Sequence, residues 1–150
     1  MDATIRFIAI TVHDLKQAER FYQDVFEMDL IGREALLDDG LWYSLPHGKG
    51  WQEVEAANID LGMLALRRGD IVLVIFKGEA VIGQVHVVGI SLPGEEISRV
   101  REKLPPGTEI LEEGGDYLSF LDPYRITWQV SAPGFEFQTS GDFSGRWLQV

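Results

Sequence analysis

Cysteine is absent from the 150-residue sequence, which excludes disulfide bonds, thiolate zinc sites and cysteine nucleophiles. Positive charge is scarce, and the formal net charge is −11. Nucleic acid is therefore a poor partner, because phosphate binding needs a basic surface. Long apolar runs are also lacking, since Ile71–Phe76 has only the length of a strand. The N-terminus has no basic region followed by an apolar run, so we expect no signal peptide and a cytoplasmic location.

Familiar catalytic signatures are missing as well. The sequence contains no Walker loop, no dinucleotide-binding glycine fingerprint and no Gly-x-Ser-x-Gly nucleophile elbow. The acidity itself has two interpretations: it attracts cationic ligands, or it only keeps the protein soluble.

The chain is organised around Thr11–Phe26, TVHDLKQAERFYQDVF. Asp14 is a good N-cap, because its carboxylate can accept the free amide hydrogens of the first helical turn. Apolar residues then recur at helical spacing up to Phe26. The β-branched segment Ile5–Val12 before it predicts a strand that runs directly into this helix.

Two rounds of this strand–helix opening, each followed by strands, account for the rest of the chain. Trp51–Asn58 is ambiguous between strand and loop, and the second helix is expected over Glu95–Leu104. The later strands are predicted at Met28–Glu34, Leu41–Leu45, Leu61–Arg67, Ile71–Lys77, Gln84–Leu92, Thr108–Glu112, Tyr117–Leu121 and Ile126–Val130.

The order of elements predicts an α+β fold of two βαβββ modules in a single domain covering residues 1–150. Module one is expected over about 4–77, a linker over 78–83 and module two over about 84–132. The C-terminal tail, 133–150, carries aromatic residues that we expect to dock on this chain or on a partner. They are Phe135, Phe137, Phe143 and Trp147.

Two stretches carry a resemblance to a known family. The sequence TVHDLKQAERFYQDVFEMDLIGRE and the later Leu121-Asp122-Pro123 turn resemble the vicinal oxygen chelate superfamily. That superfamily includes glyoxalase I, bleomycin-resistance proteins, fosfomycin-resistance transferases and extradiol dioxygenases. The resemblance implies that the sheets of the two modules curve into an open cup. It also implies a divalent metal, held by one residue from the first and one from the last strand of each module, and a homodimer.

The four ligand positions that the resemblance implies fall on Phe7, Val74, His86 and Gln129. Phenylalanine and valine cannot bind a metal, and a glutamine amide is a weak ligand. A catalytic metal normally has about three protein ligands, so the usual site is expected to be lost. Strand alternation would place Phe7, Ala9 and Thr11 on the cup face, together with His86 and Val88 of the later strand.

His86 and Gln129 each have two interpretations. His86 is a buried histidine that hydrogen-bonds to a neighbour, or a general base or residual metal ligand. Gln129 is expected to be a hydrogen-bonding residue of the cup, with metal binding as the minority alternative. Trp128 should point to the opposite face.

Several other residues are candidates for the pocket or for an altered metal site. Glu53, Glu55 and His47 could complete a shifted site, although solvated carboxylates are favoured at the first two. The aromatic residues that could line or rim the cup, or form core instead, are Trp42, Tyr43, Trp51, Tyr117 and Tyr124. In the Asp122-Pro123 turn, Arg125 stands where the family usually has a glycine with positive φ, and we expect the turn to differ.

The leading hypothesis is a non-metal binder of the bleomycin-resistance type, which sequesters a small molecule in an aromatic cleft. A cationic or aromatic ligand is compatible with the acidity and the tryptophans. No cofactor is expected. One alternative is a lyase, isomerase or dioxygenase that uses nickel, zinc, manganese or iron with ligands around His86 and Gln129. The other is a structural or regulatory relic of the fold, with its cup plugged by side chains such as Phe7.

Overall fold

The computed structural model describes residues 3–79, 84–123, 125–134 and 137–150. Its elements follow the predicted order in two rounds. The first round is β1 (Thr4–Val12), α1 (Leu15–Phe26), β2 (Asp29–Leu36), β3 (Trp42–Ser44), α2 (Trp51–Ala56), β4 (Met63–Arg68) and β5 (Ile71–Lys77). The second is β6 (Val85–Ser91), α3 (Gly94–Lys103), β7 (Ile110–Gly114), β8 (Tyr117–Leu121) and β9 (Thr127–Ser131), followed by α4 (Ser140–Ser144).

The chain forms two compact units that both take part of β1. The module-one unit comprises Ile10–Gly83 and Gln138–Val150, and the module-two unit comprises Met1–Ala9 and Gln84–Phe137. The tail therefore contributes to both units. Part of the predicted linker, residues 80–83, lies outside the described residues.

In the module-one unit the strand order is β3-β2-β4-β5-β1, and the pairs β3–β2, β2–β4 and β4–β5 are antiparallel. The α1 helix begins as predicted, because the amide of Gln17 donates to Asp14 Oδ1 at 3.0 Å. Leu15 of α1 packs in a core with Leu64, Leu66 and Ile75 from one face of the sheet. The opposite side of β2, β4 and β5 carries neither α1 nor α2 and is called here the helix-free face of module one, although the short α4 of the tail lies on it.

Trp51–Asn58, predicted as strand or loop, forms the helix α2 instead. The amide of Gly50 donates to Glu53 Oε2 at 2.8 Å, which closes the first turn. A buried network ties α2 to α1 and β2. Arg33 donates to both carboxylate oxygens of Glu19, at 2.7 and 2.9 Å, and Trp51 Nε1 donates to Glu19 Oε2 at 3.0 Å.

In the module-two unit the order is β1-β6-β9-β8-β7, with β6 parallel to β9 and the later pairs antiparallel. Ile97 of α3 packs in a core with Leu118 and Val130 on one side of this sheet. The opposite side of β6, β9 and β8 is the helix-free face of module two.

Before β9, Arg125 takes the positive φ that was expected only for a glycine at this position, so the expectation of a different conformation there was wrong. Arg125 has φ 69°, in the left-handed region. Asp122 fixes this turn, because its carboxylate accepts from the amide of Ile126 at 3.0 Å and from Trp128 Nε1 at 2.9 Å. These bonds hold a non-glycine residue in a conformation that glycine adopts more cheaply.

Candidate functional site

The helix-free face of module two is defined by strand register. Gln129 of β9 pairs with Gly89 of β6 on one side and with Ser119 of β8 on the other. Ser131, two residues on, pairs with Ser91 and Tyr117. Because paired residues project to the same side of a sheet, these side chains share one face. Gln129 and Tyr117 thus lie on the same face.

His86 lies on the other face. Val88 pairs with Trp128, and Ile90 pairs with Val130 of the α3 core. Alternation along β6 puts His86 on this α3 side with Val88. The predicted register, with His86 and Val88 on the cup face beside Gln129, was therefore wrong by one residue. Trp128 does point away from Gln129, as predicted.

Polar side chains cover part of the helix-free face of module two. Arg6 Nη1 donates to Ser131 Oγ at 2.8 Å. Burial raises the pKa of Tyr117, and the nearby Glu112 raises it further, while a hydrogen bond with Ser119 and the charge of Arg6 lower it. Burial also lowers the pKa of Arg6, because a desolvated guanidinium is harder to keep charged. This face combines a guanidinium, an amide and the hydroxyls of Ser91, Tyr117, Ser119 and Ser131. Glu112 of β7 pairs with Ser119 and adds a carboxylate at its edge.

Sequence reasoning found Tyr117 and Gln129 but missed their neighbours. Ser119 and Ser131 follow them by simple alternation, two residues on, so that signal was available. Arg6 was not accessible in this way, because it is 125 residues from Ser131 in sequence.

Phe7 is packed against this same sheet. Its ring lies 2.2 Å from where a Cβ on Gly89 would be, and it forms an edge-on pair with Phe137 at a centroid distance of 5.4 Å. Phe7 and Ala9 are 5% and 0% exposed. The first-strand ligand position is thus filled by a buried aromatic ring, and the tail aromatic Phe137 docks on this chain.

The helix-free face of module one is also buried. Across the sheet, Gly32 pairs with Ala65, and Ala65 pairs with Val74. Val74 is 2% exposed, and Thr11 of β1 is 7% exposed. Trp42 makes an edge-on contact with Phe76 at 6.0 Å between ring centroids.

Two predicted lining residues belong to the α1 side. Tyr43 pairs with Ala35, which lies in the core that α1 covers. Trp51 packs against the same core and bonds to Glu19. Both residues fill core positions, the alternative that the sequence left open. Tyr124 and Phe135 lie outside the described residues, and Phe143 is 71% exposed.

The candidates for a shifted metal site are dispersed. Glu53 caps its own helix, Glu55 forms an ion pair with Lys16 at 3.0 Å, and His47 contacts Asp142 at 3.2 Å. Within the described residues, no group of three or more histidine, aspartate or glutamate side chains is arranged to hold a metal ion. In the same residues, no helix is long and apolar enough to cross a membrane.

Two modules that each open with a strand and a helix and continue with strands define an α+β protein of the paired-module class. Module two is βαβββ, and module one has the further strand β3 and the helix α2. No protein-family model and no curated protein matches the sequence. Solved structures do match, so the comparison rests on backbone shape.

Three of the matching solved structures show how far the similarity in backbone fold extends. A hypothetical protein from Bacillus halodurans C-125 aligns with a TM-score of 0.54 and 13% identity, over 93% of this chain and 100% of that one. The Mn(II)-bound glyoxalase from Novosphingobium aromaticivorans aligns with a TM-score of 0.57 and 13% identity, over 90% of this chain but 40% of that one. Streptomyces coelicolor methylmalonyl-CoA epimerase, in complex with 2-nitronate-propionyl-CoA, gives 0.50 and 15%, over 89% and 97%.

The chain therefore has the vicinal oxygen chelate fold, also called the glyoxalase/bleomycin-resistance fold, as predicted. At these identities the likeness establishes the fold and not the activity.

Proposed function

We propose that this protein binds a small polar molecule on the helix-free face of module two, without the metal that the fold usually carries. The observation that carries the proposal is the polar set Tyr117, Ser119, Gln129 and Ser131, which one strand register brings together, with Arg6 hydrogen-bonded to Ser131. Hydroxyl, amide and guanidinium groups bind oxygen-rich ligands through directional hydrogen bonds.

Two charged residues lie at this face, Arg6 and, at the β7 edge, the exposed Glu112. Of the two, Arg6 favours an acidic group in the ligand. Arg6 is half-buried, and a guanidinium binds a carboxylate through strong charge-assisted hydrogen bonds. The net charge of −11 led to the expectation of a cationic ligand, but overall charge governs steering more than recognition at a particular face. The proposed ligand is therefore a small molecule with a carboxylate or a similar acidic oxygen group.

The donor set supports binding without a metal. On this face Gln129 offers one neutral oxygen and Glu112 one carboxylate, fewer than the roughly three protein ligands of a catalytic metal, and His86 lies on the opposite side of β6. Without a Lewis acid and a well-placed base, sequestration is favoured over chemistry. The alternative, an enzyme with a rebuilt metal site, makes a different prediction about metal content.

Elemental analysis and ligand screening on untagged protein distinguish the metal-free binding protein from the enzyme with a rebuilt metal site. We expect no stoichiometric metal after incubation with nickel, zinc, manganese or iron(II). We also expect binding of at least one member of a panel of small mono- and dicarboxylates, observed by ligand NMR. Arg6→Gln should weaken that binding roughly tenfold or more, because a charge-assisted bond is lost.

His86→Gln is the matched control, since it changes a polar side chain on the other face of the same sheet. It should leave carboxylate binding unchanged. One metal per chain that disappears in His86→Gln would reject the proposal and favour the enzyme. Equal weakening by both substitutions would also reject it. The homodimer remains a prediction, to be measured by light scattering.

A further inference from the structure

The C-terminal residues 139–147, called here the strap, lie across the helix-free face of module one. The amide of Ser140 donates to Glu34 Oε2 at 3.2 Å, and the amide of Gly141 donates to Ser44 Oγ at 2.7 Å. Trp147 then forms a parallel bridge with Ser44 at the sheet edge. The strap therefore occupies a face that the fold could otherwise leave open to a ligand.

Two glycines allow this close approach. A Cβ on Gly32 would lie 2.5 Å from Thr139 Cγ2, and a Cβ on Gly141 would lie 2.6 Å from the Trp147 ring. Both distances are far below an ordinary carbon–carbon contact. Thr139 of the strap therefore packs closely against Gly32 of the face. Within the strap, Gly141 packs closely against Trp147.

Beneath the strap lies an incompletely satisfied carboxylate. Glu34 is 2% exposed, and its Oε1 has no hydrogen-bond partner among the described residues. The strap gives Glu34 the backbone amide of Ser140 and a side-chain hydrogen bond from the same residue. The charge of Arg146 also favours the carboxylate, and that of Asp142 opposes it. A buried acceptor left unpaired is costly, so the closed strap is a compromise and not the best partner that this carboxylate could have.

Apolar and aromatic side chains continue the surface from Glu34. Glu34 pairs with Met63, and Met63 pairs with Phe76, so the three form one row across the sheet. Trp42 lies edge-on to Phe76. A ligand with a positively charged N–H donor for Glu34 and an aromatic ring for this row would match the surface in both charge and shape.

We propose that the strap covers a second binding site. When the strap lifts, a small molecule that has an aromatic ring and an ammonium group binds there, with its ammonium at Glu34. This site is separate from the polar face of module two and has the opposite local charge. The strap amide of Ser140 stands where the ammonium N–H of the ligand would bind.

Gly32→Ala tests the strap, because the new methyl group collides with Thr139 Cγ2. Thr139→Ser is the matched rescue: it removes that methyl group, keeps the N-cap hydroxyl, and leaves the Thr139 Cβ position at an ordinary 3.6 Å. In Gly32→Ala we expect faster hydrogen exchange at the amides of Ser140, Gly141 and Leu148. The double variant should return to the wild-type rate.

Benzylamine is the probe for the site, with binding measured by calorimetry. Gly32→Ala should bind it about tenfold or more tightly than the wild type, because the apparent affinity rises with the open fraction. Gly32→Ala/Thr139→Ser should return to the wild-type affinity, and Gly32→Ala/Glu34→Gln should lose the gain.

Three results would overturn the proposal. Unchanged exchange in Gly32→Ala would mean that the strap is not held by this contact. If hydrogen exchange in Gly32→Ala also becomes faster at Leu64 and Ile75, the strap unfolds together with the core and does not open on its own. A strap that opens without benzylamine binding, or binding that survives Glu34→Gln, would remove the site.

Discussion

Gly89→Ala should destabilise the protein because Phe7 occupies the space that the new methyl group needs. An ideal Cβ on Gly89 lies 2.2 Å from Cε1 and 2.4 Å from Cδ1 of the Phe7 ring. Carbon atoms prefer about 3.5–4.0 Å, so the ring would have to move by more than about 1 Å. It has little room to do so, because it is 5% exposed and paired with Phe137.

The magnitude follows from these contacts. Overpacking of a buried site costs about 1–3 kcal/mol. Disturbing the edge-on aromatic pair adds about 0.5–1.5 kcal/mol. Alanine restricts the unfolded chain and returns about 0.4–1 kcal/mol, since Gly89 has no positive φ that would forbid a side chain. The expected net loss is about 0.5–4 kcal/mol in the free energy of unfolding.

Urea unfolding of a double-mutant cycle measures this loss. Phe7→Val removes the ring atoms that collide and keeps a residue suited to a strand. In that background Gly89→Ala should cost less than about 0.5 kcal/mol. If Gly89→Ala costs the same in both backgrounds, the ring contact is not the cause and the packing argument fails.

Three further predictions concern single side chains. Glu19→Gln leaves the buried Arg33 without its carboxylate and should cost about 3–5 kcal/mol in urea unfolding. Burial raises the pKa of Glu34 above its ordinary 4.5, so the folded state binds this proton more tightly. Stability should therefore fall as pH rises from about 4.5 through the raised pKa and then level off, and Glu34→Gln should lack that fall. Arg125→Gly should raise the thermal midpoint, because relief of a left-handed φ, about 1–2 kcal/mol, exceeds the added freedom of glycine in the unfolded chain, about 0.4–1 kcal/mol.

The sequence was sufficient for the order of elements and for some side-chain directions. The Asp14 N-cap and the repeated strand–helix opening are local signals, and both appear in the structure. Phe7 and Ala9 are buried as the alternation of β1 required. Such features depend on neighbouring residues, which a single sequence displays directly.

The direction of His86 could not be obtained in the same way. Val85–Ile90 is apolar at most positions, so it has no alternation from which to read a face. The register was instead set by aligning Phe7 with His86, whereas the Phe7 ring packs against Gly89. Because the side-chain period of a strand is two, one residue of error moved His86 to the wrong side of the sheet.

Contacts between distant segments explain the other omissions. Arg6 meets Ser131, and Ser140 meets Glu34 across 106 residues, with no motif at either end. The tail aromatics indicated that the tail would dock but not where. Long-range partners of this kind are chosen by the assembled fold, which is why Glu34 resembled an ordinary strand residue in the sequence.

Phe7 bears on the metal position that the resemblance implies. A residue that only lacked donor atoms would leave space there, but this ring fills the surface over Gly89, which is the neighbour of Gln129 in the sheet. A stronger metal ligand substituted for Gln129 alone would therefore lie beside the Phe7 ring and not beside an open coordination site. Beside the Phe7 ring, the groups of this face that can form hydrogen bonds include Arg6, Tyr117 and Ser131. The proposed recognition of a ligand through hydrogen bonds would therefore depend on them.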